Sequence, residues 1–229
     1  MKVLVNERDL EEIRYSRRVG VGKEGICYLP VDDNRIVKLF YDSYKSQVKQ
    51  VNFSNIKNSQ IAFPIDILCT TDGQIVGYTM NYLSGEKFIN GFKENLSLSD
   101  LKQAYLNLRI IMLKLKNIYM DDNCLDNLLY DYKTNKINII DTSRWYEKRG
   151  GEFESISEFN WQMMTALLTN IDFENYKLNQ DRSLSDMYFT YKNSEQLLSI
   201  FIEFLNELEL KVSEYKGEKV KTIKDLIIK

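Results

Sequence analysis

The segment Gly20-Val21-Gly22-Lys23-Glu24-Gly25 limits the possible folds more than any other part of the sequence, because of what lies on either side of it. Before it stands the strand-like run Ile13–Val19, and after it come Ile26-Cys27-Tyr28-Leu29, β-prone residues that end at Pro30. A dinucleotide-binding unit needs a helix to open inside such a G-x-G-x-x-G motif, so that the helix N-terminus faces the pyrophosphate. A P-loop needs Ser or Thr after the lysine, and Lys23 is followed by Glu24. Both folds are excluded. A strand–glycine turn–strand remains, and it is either a flap whose backbone amides cover a phosphate or a plain glycine turn.

The pattern changes character along the 229 residues. Arg35-Ile36-Val37-Lys38-Leu39-Phe40 reads as a third strand after the turn Val31–Asn34, and Asp42 to about Asn58 reads as a helix capped by Asp42 or Ser43. Two more strands are expected at Asp66–Cys69 and Gln74–Tyr82, joined by the hairpin turn Thr71-Asp72-Gly73. After Ser84-Gly85 the chain turns mostly helical. Ser97 caps a helix with apolar residues at Leu101, Tyr105, Leu108, Ile111, Met112 and Leu115. A second hairpin pairs Leu128–Asp131 with Lys136–Ile140, and further helices are expected at Glu158–Leu168 and Ser194–Lys211. The expected fold is α+β, with a small β-rich lobe over residues 1–83 and a mostly helical lobe over 84–229.

Composition removes several chemistries. The sequence has no histidine, which excludes Ser-His-Asp and Cys-His catalysis and metal sites built on imidazole. Acid–base work must fall to carboxylates, Lys, Tyr or Cys. With 31 Lys and Arg against 33 Asp and Glu, the net charge of −2 gives no global basic field for nucleic acid or an anionic membrane. Cys27, Cys69 and Cys124 form no C-x-x-C pair and are read as reduced thiols. The N-terminus is charged within its first ten residues, unlike a signal peptide, and no apolar run reaches the ~18 residues of a membrane span. A soluble, cytoplasmic protein is expected.

Four polar residues stand where strands and loops would expose them together. Lys38 has a β-branched residue before it and an apolar one after it, so that its stem can lie against a wall while its ammonium grips nucleotide phosphates; a lysine snorkelling at a strand edge has the same pattern. Asp122 and Asn127 lie five apart in Asp122-Asn123-Cys124-Leu125-Asp126-Asn127, just before a strand. Asp141 ends the paired strand, 14 residues beyond Asn127. Asn127 and Asp141 are hard oxygen donors suited to Mg²⁺, and Asp122 can accept the proton of an attacking hydroxyl. Solvated polar loops would also account for each of them separately.

Taken in order, the glycine turn, strand lysine, helix, hinge, long helix, D-x-x-x-x-N, hairpin and Asp resemble the protein kinase-like superfamily over about Val19–Asp141. The resemblance is to the small bacterial Ser/Thr protein kinase-like proteins. It implies a bilobal kinase-like fold that binds ATP and Mg²⁺ and passes the γ-phosphate to a hydroxyl of a protein or a small molecule. Lys38 and Asp122 then take the catalytic positions, and Asn127 and Asp141 the metal. Gly20, Gly22, Lys23, Glu24 and Gly25 would cover the phosphates. Met80, Asn81 and Leu83 would form the gatekeeper and hinge, with Val21, Cys27 and Leu129 against the purine. Ser157–Leu168 is similar to the family's central helix.

Several positions depart from the family. H-R-D reads Met120-Asp121-Asp122, D-F-G reads Asp141-Thr142-Ser143, and Cys124 replaces the catalytic-loop cation, for which Lys23, Arg144 or Lys148 would have to compensate. There is no A-P-E, and the stretch after Asp141 is short. The stretch Lys45–Asn58 offers Gln47, Gln50, Asn52 and Asn55 but no acid to pair with Lys38. These departures keep a second reading open, a pseudokinase that binds nucleotide or scaffolds a partner without transfer. A third is an unrelated α+β protein.

Overall fold

A computed structural model of the chain describes residues 1–31, 34–44, 58–88, 96–122, 124–168, 199–217 and 219–223. The chain divides into two compact units, Met1–Leu83 with Ile139–Tyr146, and Ser84–Asn138 with Glu147–Lys229. The α+β expectation is met, with one unit built on a sheet and the other mostly on helices.

The first unit is a six-stranded sheet in the order β1-β5-β6-β4-β3-β2. Its strands are β1 (Lys2–Leu4), β2 (Arg17–Val21), β3 (Gly25–Leu29), β4 (Arg35–Phe40), β5 (Pro64–Cys69) and β6 (Ile75–Asn81). All neighbouring pairs are antiparallel except β1 with β5. Because side chains alternate across a strand, β4 feeds two cores. Val37 and Leu39 pack with Val5, Leu10, Tyr28, Leu68 and Val76 on one face. Ile36 and Phe40 pack with Ala62, Tyr78 and Met80 on the other. Gly77 lets β6 approach β4 closely: a Cβ there would stand 2.2 Å from the Lys38 carbonyl oxygen.

One helix in this unit runs against the expectation of a strand at Ile13–Tyr15, which instead end α1 (Glu7–Tyr15). Asn6 accepts from the Asp9 amide while Asp9 accepts from the Asn6 amide, a reciprocal cap that satisfies two amides otherwise orphaned at a helix start. Leu10 and Ile13 then cover the core around Val37 and Leu39. The hairpin at Thr70–Gln74 forms as expected, with Gly73 at φ +86° and its amide donating to the Thr70 carbonyl. After β4 the chain makes a 3₁₀ turn at Asp42–Tyr44. The rest of the helix expected to Asn58 lies outside the described residues, apart from Asn58 itself.

In the second unit, α2 (Leu98–Lys114) starts where expected, with the Ser97 hydroxyl accepting from the Asp100 amide at 2.9 Å. Short strands β7 (Glu86–Lys87) and β8 (Ile118–Tyr119) precede the hairpin of β9 (Leu128–Asp131) and β10 (Lys136–Ile139). β7 joins that hairpin as a third strand beside β9. The third helix, α3 (Gly151–Leu168), starts earlier than the expected Glu158, leaving the segment after Asp141 shorter still. The C-terminal helix α4 (Ile200–Lys216) buries Phe201, Phe204, Leu205 and Leu208, as their spacing implies; residues 194–198, where it was expected to start, lie outside the described residues. Among the described residues no helix is long and apolar enough to cross a membrane.

Candidate functional site

Lys38 sits on β4, an interior strand. Cys27 of β3 lies directly opposite on one side and Tyr78 of β6 on the other. Directly paired residues share a face, so these three form a row across the sheet. Lys38 is 2% exposed, which rules out the strand-edge reading. A buried ammonium requires partners. Its Nζ donates to the Asp141 carboxylate at 2.5 Å and to the Glu24 carboxylate at 2.9 Å, and lies 5.8 Å from the ring centroids of Phe40 and Tyr78. Sequence reasoning found no acid for Lys38 on the stretch after β4. The structure supplies Glu24, from inside the glycine turn, together with Asp141.

The turn delivers Glu24 by a tight backbone arrangement. The Gly22 amide donates to the Gly25 carbonyl at 2.9 Å, and the Tyr41 amide donates to the Glu24 carbonyl at 2.9 Å. Gly25 is required by the protein itself, since a Cβ there would fall 2.0 Å from the Leu39 carbonyl oxygen. Gly20 and Gly22 are different. Neither has a positive φ, and an added Cβ would meet its nearest neighbour at 3.7 and 3.9 Å respectively. Nothing inside the described structure demands glycine at these two positions. They leave the backbone bare toward whatever approaches the turn, as a phosphate cradle requires.

Asp141 follows β10 with φ +60°, a left-handed backbone that non-glycine residues adopt rarely and Asp more readily than most. Its segment is pinned on both sides. Ile139 and residues 60–62 exchange backbone hydrogen bonds, and the Thr142 hydroxyl donates to the Ala62 carbonyl at 2.9 Å. Trp145 packs edge-on against Phe63 at 5.7 Å and anchors the chain just after Asp141. Ser143, buried, has its hydroxyl 3.1 Å from both the Asp141 and the Glu24 carboxylates. Two carboxylates around one ammonium leave this cluster with a formal charge of −1, and the Asp141 side chain is 26% exposed.

Protonation follows from this arrangement. Burial alone would lower the pKa of Lys38, but the charges and hydrogen bonds of Asp141 and Glu24 outweigh it and hold the ammonium protonated beyond its usual range. Burial pushes the Cys27 thiol up to about 11, with Lys38 pulling the other way and Asp141 adding to the rise. The fully buried Tyr78 phenol is pushed well above its usual value, chiefly by burial and then by Asp141. Neither Cys27 nor Tyr78 is poised as a base near neutral pH.

The hinge positions fall at the end of β6. Met80 is buried, Asn81 exposed and Leu83 half-buried, and the Tyr82 amide donates to the Asn34 carbonyl at 3.0 Å. Cys27, Leu83 and Ile140 pack around the apolar face that holds Met80, so that three of the expected purine contacts share one cluster. Val21 and Lys23 are exposed on the turn.

In the second unit, Asp122 lies on a loop fixed at both ends to α3. The Met120 amide donates to the Ser155 hydroxyl at 2.9 Å, and the Leu125 amide to Gln162 Oε1 at 3.1 Å. Asp122 is also left-handed, at φ +62°, and exposed. Asn127 closes a 3₁₀ turn, and its Nδ2 donates to the Asp122 carbonyl at 2.9 Å. That bond ties the Asn127 amide nitrogen to the loop, and an amide oxygen is the kind of donor atom a hard cation takes. Asn127 and Asp141 therefore fit Mg²⁺ in their donor chemistry. Asn123 lies outside the described residues. Cys124, half-buried, has its thiol raised by burial. Leu129 is half-buried on β9 of this second unit. The Lys148 ammonium is paired with Glu154 and lies 4.8 Å from the centre of the Tyr119 ring.

No family model matches the sequence, and no curated protein matches it. Among solved structures, the kinase PK-1 of Cydia pomonella granulovirus is similar at 18% identity, with a TM-score of 0.44. The match covers 61% of this chain and spans only about half of the viral kinase, 55%. The functional reading rests on the residues around Lys38 and in the Asp122–Asn127 loop.

Proposed function

We propose that the protein is an ATP- and Mg²⁺-dependent phosphotransferase of the protein kinase-like class, passing the γ-phosphate to a hydroxyl acceptor. The observation that carries this is Lys38: a lysine on an interior strand, 2% exposed, whose ammonium is held by Asp141 in left-handed backbone. Isolated structural lysines seldom justify such burial, and strained backbone at a carboxylate is typical of functional sites. On this reading Lys38 binds the α- and β-phosphates, and the turn, without side chains at Gly20 and Gly22, covers them. Asp122 accepts the proton of the attacking hydroxyl, and Asn127 and Asp141 hold the metal. Mg²⁺ supplies charge neutralisation at the transferring phosphoryl group. The formal −1 of the Lys38–Glu24–Asp141 cluster repels a bare polyphosphate, so nucleotide binding is expected to require the divalent cation.

The acceptor is a Ser or Thr hydroxyl of a protein, or a small-molecule hydroxyl; the resemblance to Ser/Thr kinases favours the protein. The chain would act in the cytoplasm. The experiment is phosphoryl transfer from labelled ATP to general protein acceptors, comparing the wild type with Asp122→Asn. Transfer that depends on Mg²⁺ and falls at least a hundredfold in the variant supports the reading. ATP binding without transfer to any acceptor would instead support the pseudokinase, which Cys124 at the position of the usual catalytic-loop cation favours.

A further inference from the structure

Lys38 is bound from two directions, and the partner that the proposed chemistry does not use is Glu24. Its carboxylate is 2.9 Å from Nζ, its side chain is 11% exposed, and the Ser143 hydroxyl reaches it at 3.1 Å. Its main chain is tied as firmly. The Tyr41 amide, one residue past β4, donates to the Glu24 carbonyl, and Gly25 is pressed against the Leu39 carbonyl so closely that no Cβ fits. Glu24 is thus a short link from the glycine turn onto the strand that carries Lys38. After Asp42, which opens the 3₁₀ turn, the chain offers no further acid until Asp66.

We propose that Glu24 is a positioning residue that holds the Lys38 ammonium from within the glycine turn, so that closure of the turn and placement of the lysine are one event. A turn that opens withdraws a partner from Lys38; a turn that closes presents the lysine fixed beside a backbone that carries no side chain at Gly20 and Gly22. The consequence for nucleotide rests on the phosphotransferase reading, whereas the contact itself does not.

The test compares wild type, Glu24→Gln and Glu24→Asp. Acylation of Lys38 by an N-hydroxysuccinimide ester at pH 8 is resolved by mass spectrometry, urea melts establish that each variant is folded, and MgATP binding is measured by calorimetry. Loss of the charge in Glu24→Gln, with the side-chain size kept, is expected to raise Lys38 acylation about twofold or more, because the ammonium loses one of the two carboxylates that hold it in place. Glu24→Asp keeps the charge with a shorter reach and falls between the two; it carries the test alone if the Gln variant does not fold. MgATP affinity drops about tenfold in Glu24→Gln if the lysine must be held for phosphate. Equal acylation in wild type and Glu24→Gln, or Glu24→Asp as reactive as Gln, overturns the proposal. If the wild type binds no MgATP while acylation responds to Glu24, the nucleotide reading falls and the positioning contact stands.

Discussion

Replacing Lys38 with Met is expected to cost stability through charge and not through volume. Met fills the space of the lysine stem, so no large cavity forms. What is lost is the cation between two carboxylates, at 2.5 Å from Asp141 and 2.9 Å from Glu24. Removing one member of a buried ionic cluster costs roughly 3–5 kcal/mol, because the remaining charges are stranded. The 26% exposure of Asp141 brings the expectation to the lower end, about 3 kcal/mol at pH 7. Urea melts of both proteins at pH 7, followed by circular dichroism, measure it. A loss under about 1 kcal/mol would refute the electrostatic account of the cluster.

The glycines of the turn divide by role. Gly25→Ala forces a Cβ to within 2.0 Å of the Leu39 carbonyl and should cost about 1–3 kcal/mol or more in a melt, whereas Gly22→Ala should stay within about 0.5 kcal/mol while weakening MgATP binding. The reverse ranking in stability would contradict the packing described. Cys27, with its thiol at about 11, should alkylate slowly with iodoacetamide at pH 8 and accelerate up to that pH; full labelling within minutes at pH 8, tracked by mass spectrometry, would contradict its burial beside Asp141. In the wild type, the raised pKa of Lys38 means that its contribution is fully present below the unfolded value of about 10.4 and is lost as pH rises through the folded value. Tyr78 acts in the same direction, so stability measured by urea melts from pH 9 to 11.5 should fall, and a flat profile would argue against both burials.

What the sequence made legible were features that local chemistry dictates. The β-prone residues after Gly25 fixed the turn as strand–turn–strand, and Ser97 with Asp100 marked the start of α2. The run Arg35–Phe40 marked a third strand, whereas its burial on both faces, Lys38 included, became visible only in the fold. The start of α1 was legible too, in Asn6 and Asp9 three apart, but the β-prone run from Ile13 onward masked its end. Glu24 was hidden for a different reason. In the sequence it is a variable position of a glycine motif, and only the register of β3 on β4, with Tyr41 bonded back to its carbonyl, turns it toward Lys38. Ser143 is similar: a small hydroxyl after Asp141 gains a role only once the chain folds it between two carboxylates. Left-handed backbone at Asp122 and Asp141 likewise leaves no mark in the residue types, since Asp is common in ordinary turns.

The central claim is that Lys38 and Asp141 belong to a metal–nucleotide site. Thermal unfolding of wild type and Asp141→Asn, with ATP in the presence and absence of Mg²⁺, tests it most directly. A ligand that binds the native state stabilises it by about 2.7 kcal/mol at a hundredfold excess over Kd. The account predicts a shift of several degrees for the wild type with ATP and Mg²⁺ together, little with ATP alone, and loss of the shift in Asp141→Asn. Unchanged melting of the wild type in every condition, or an equal Mg²⁺-dependent shift in the variant, would contradict it.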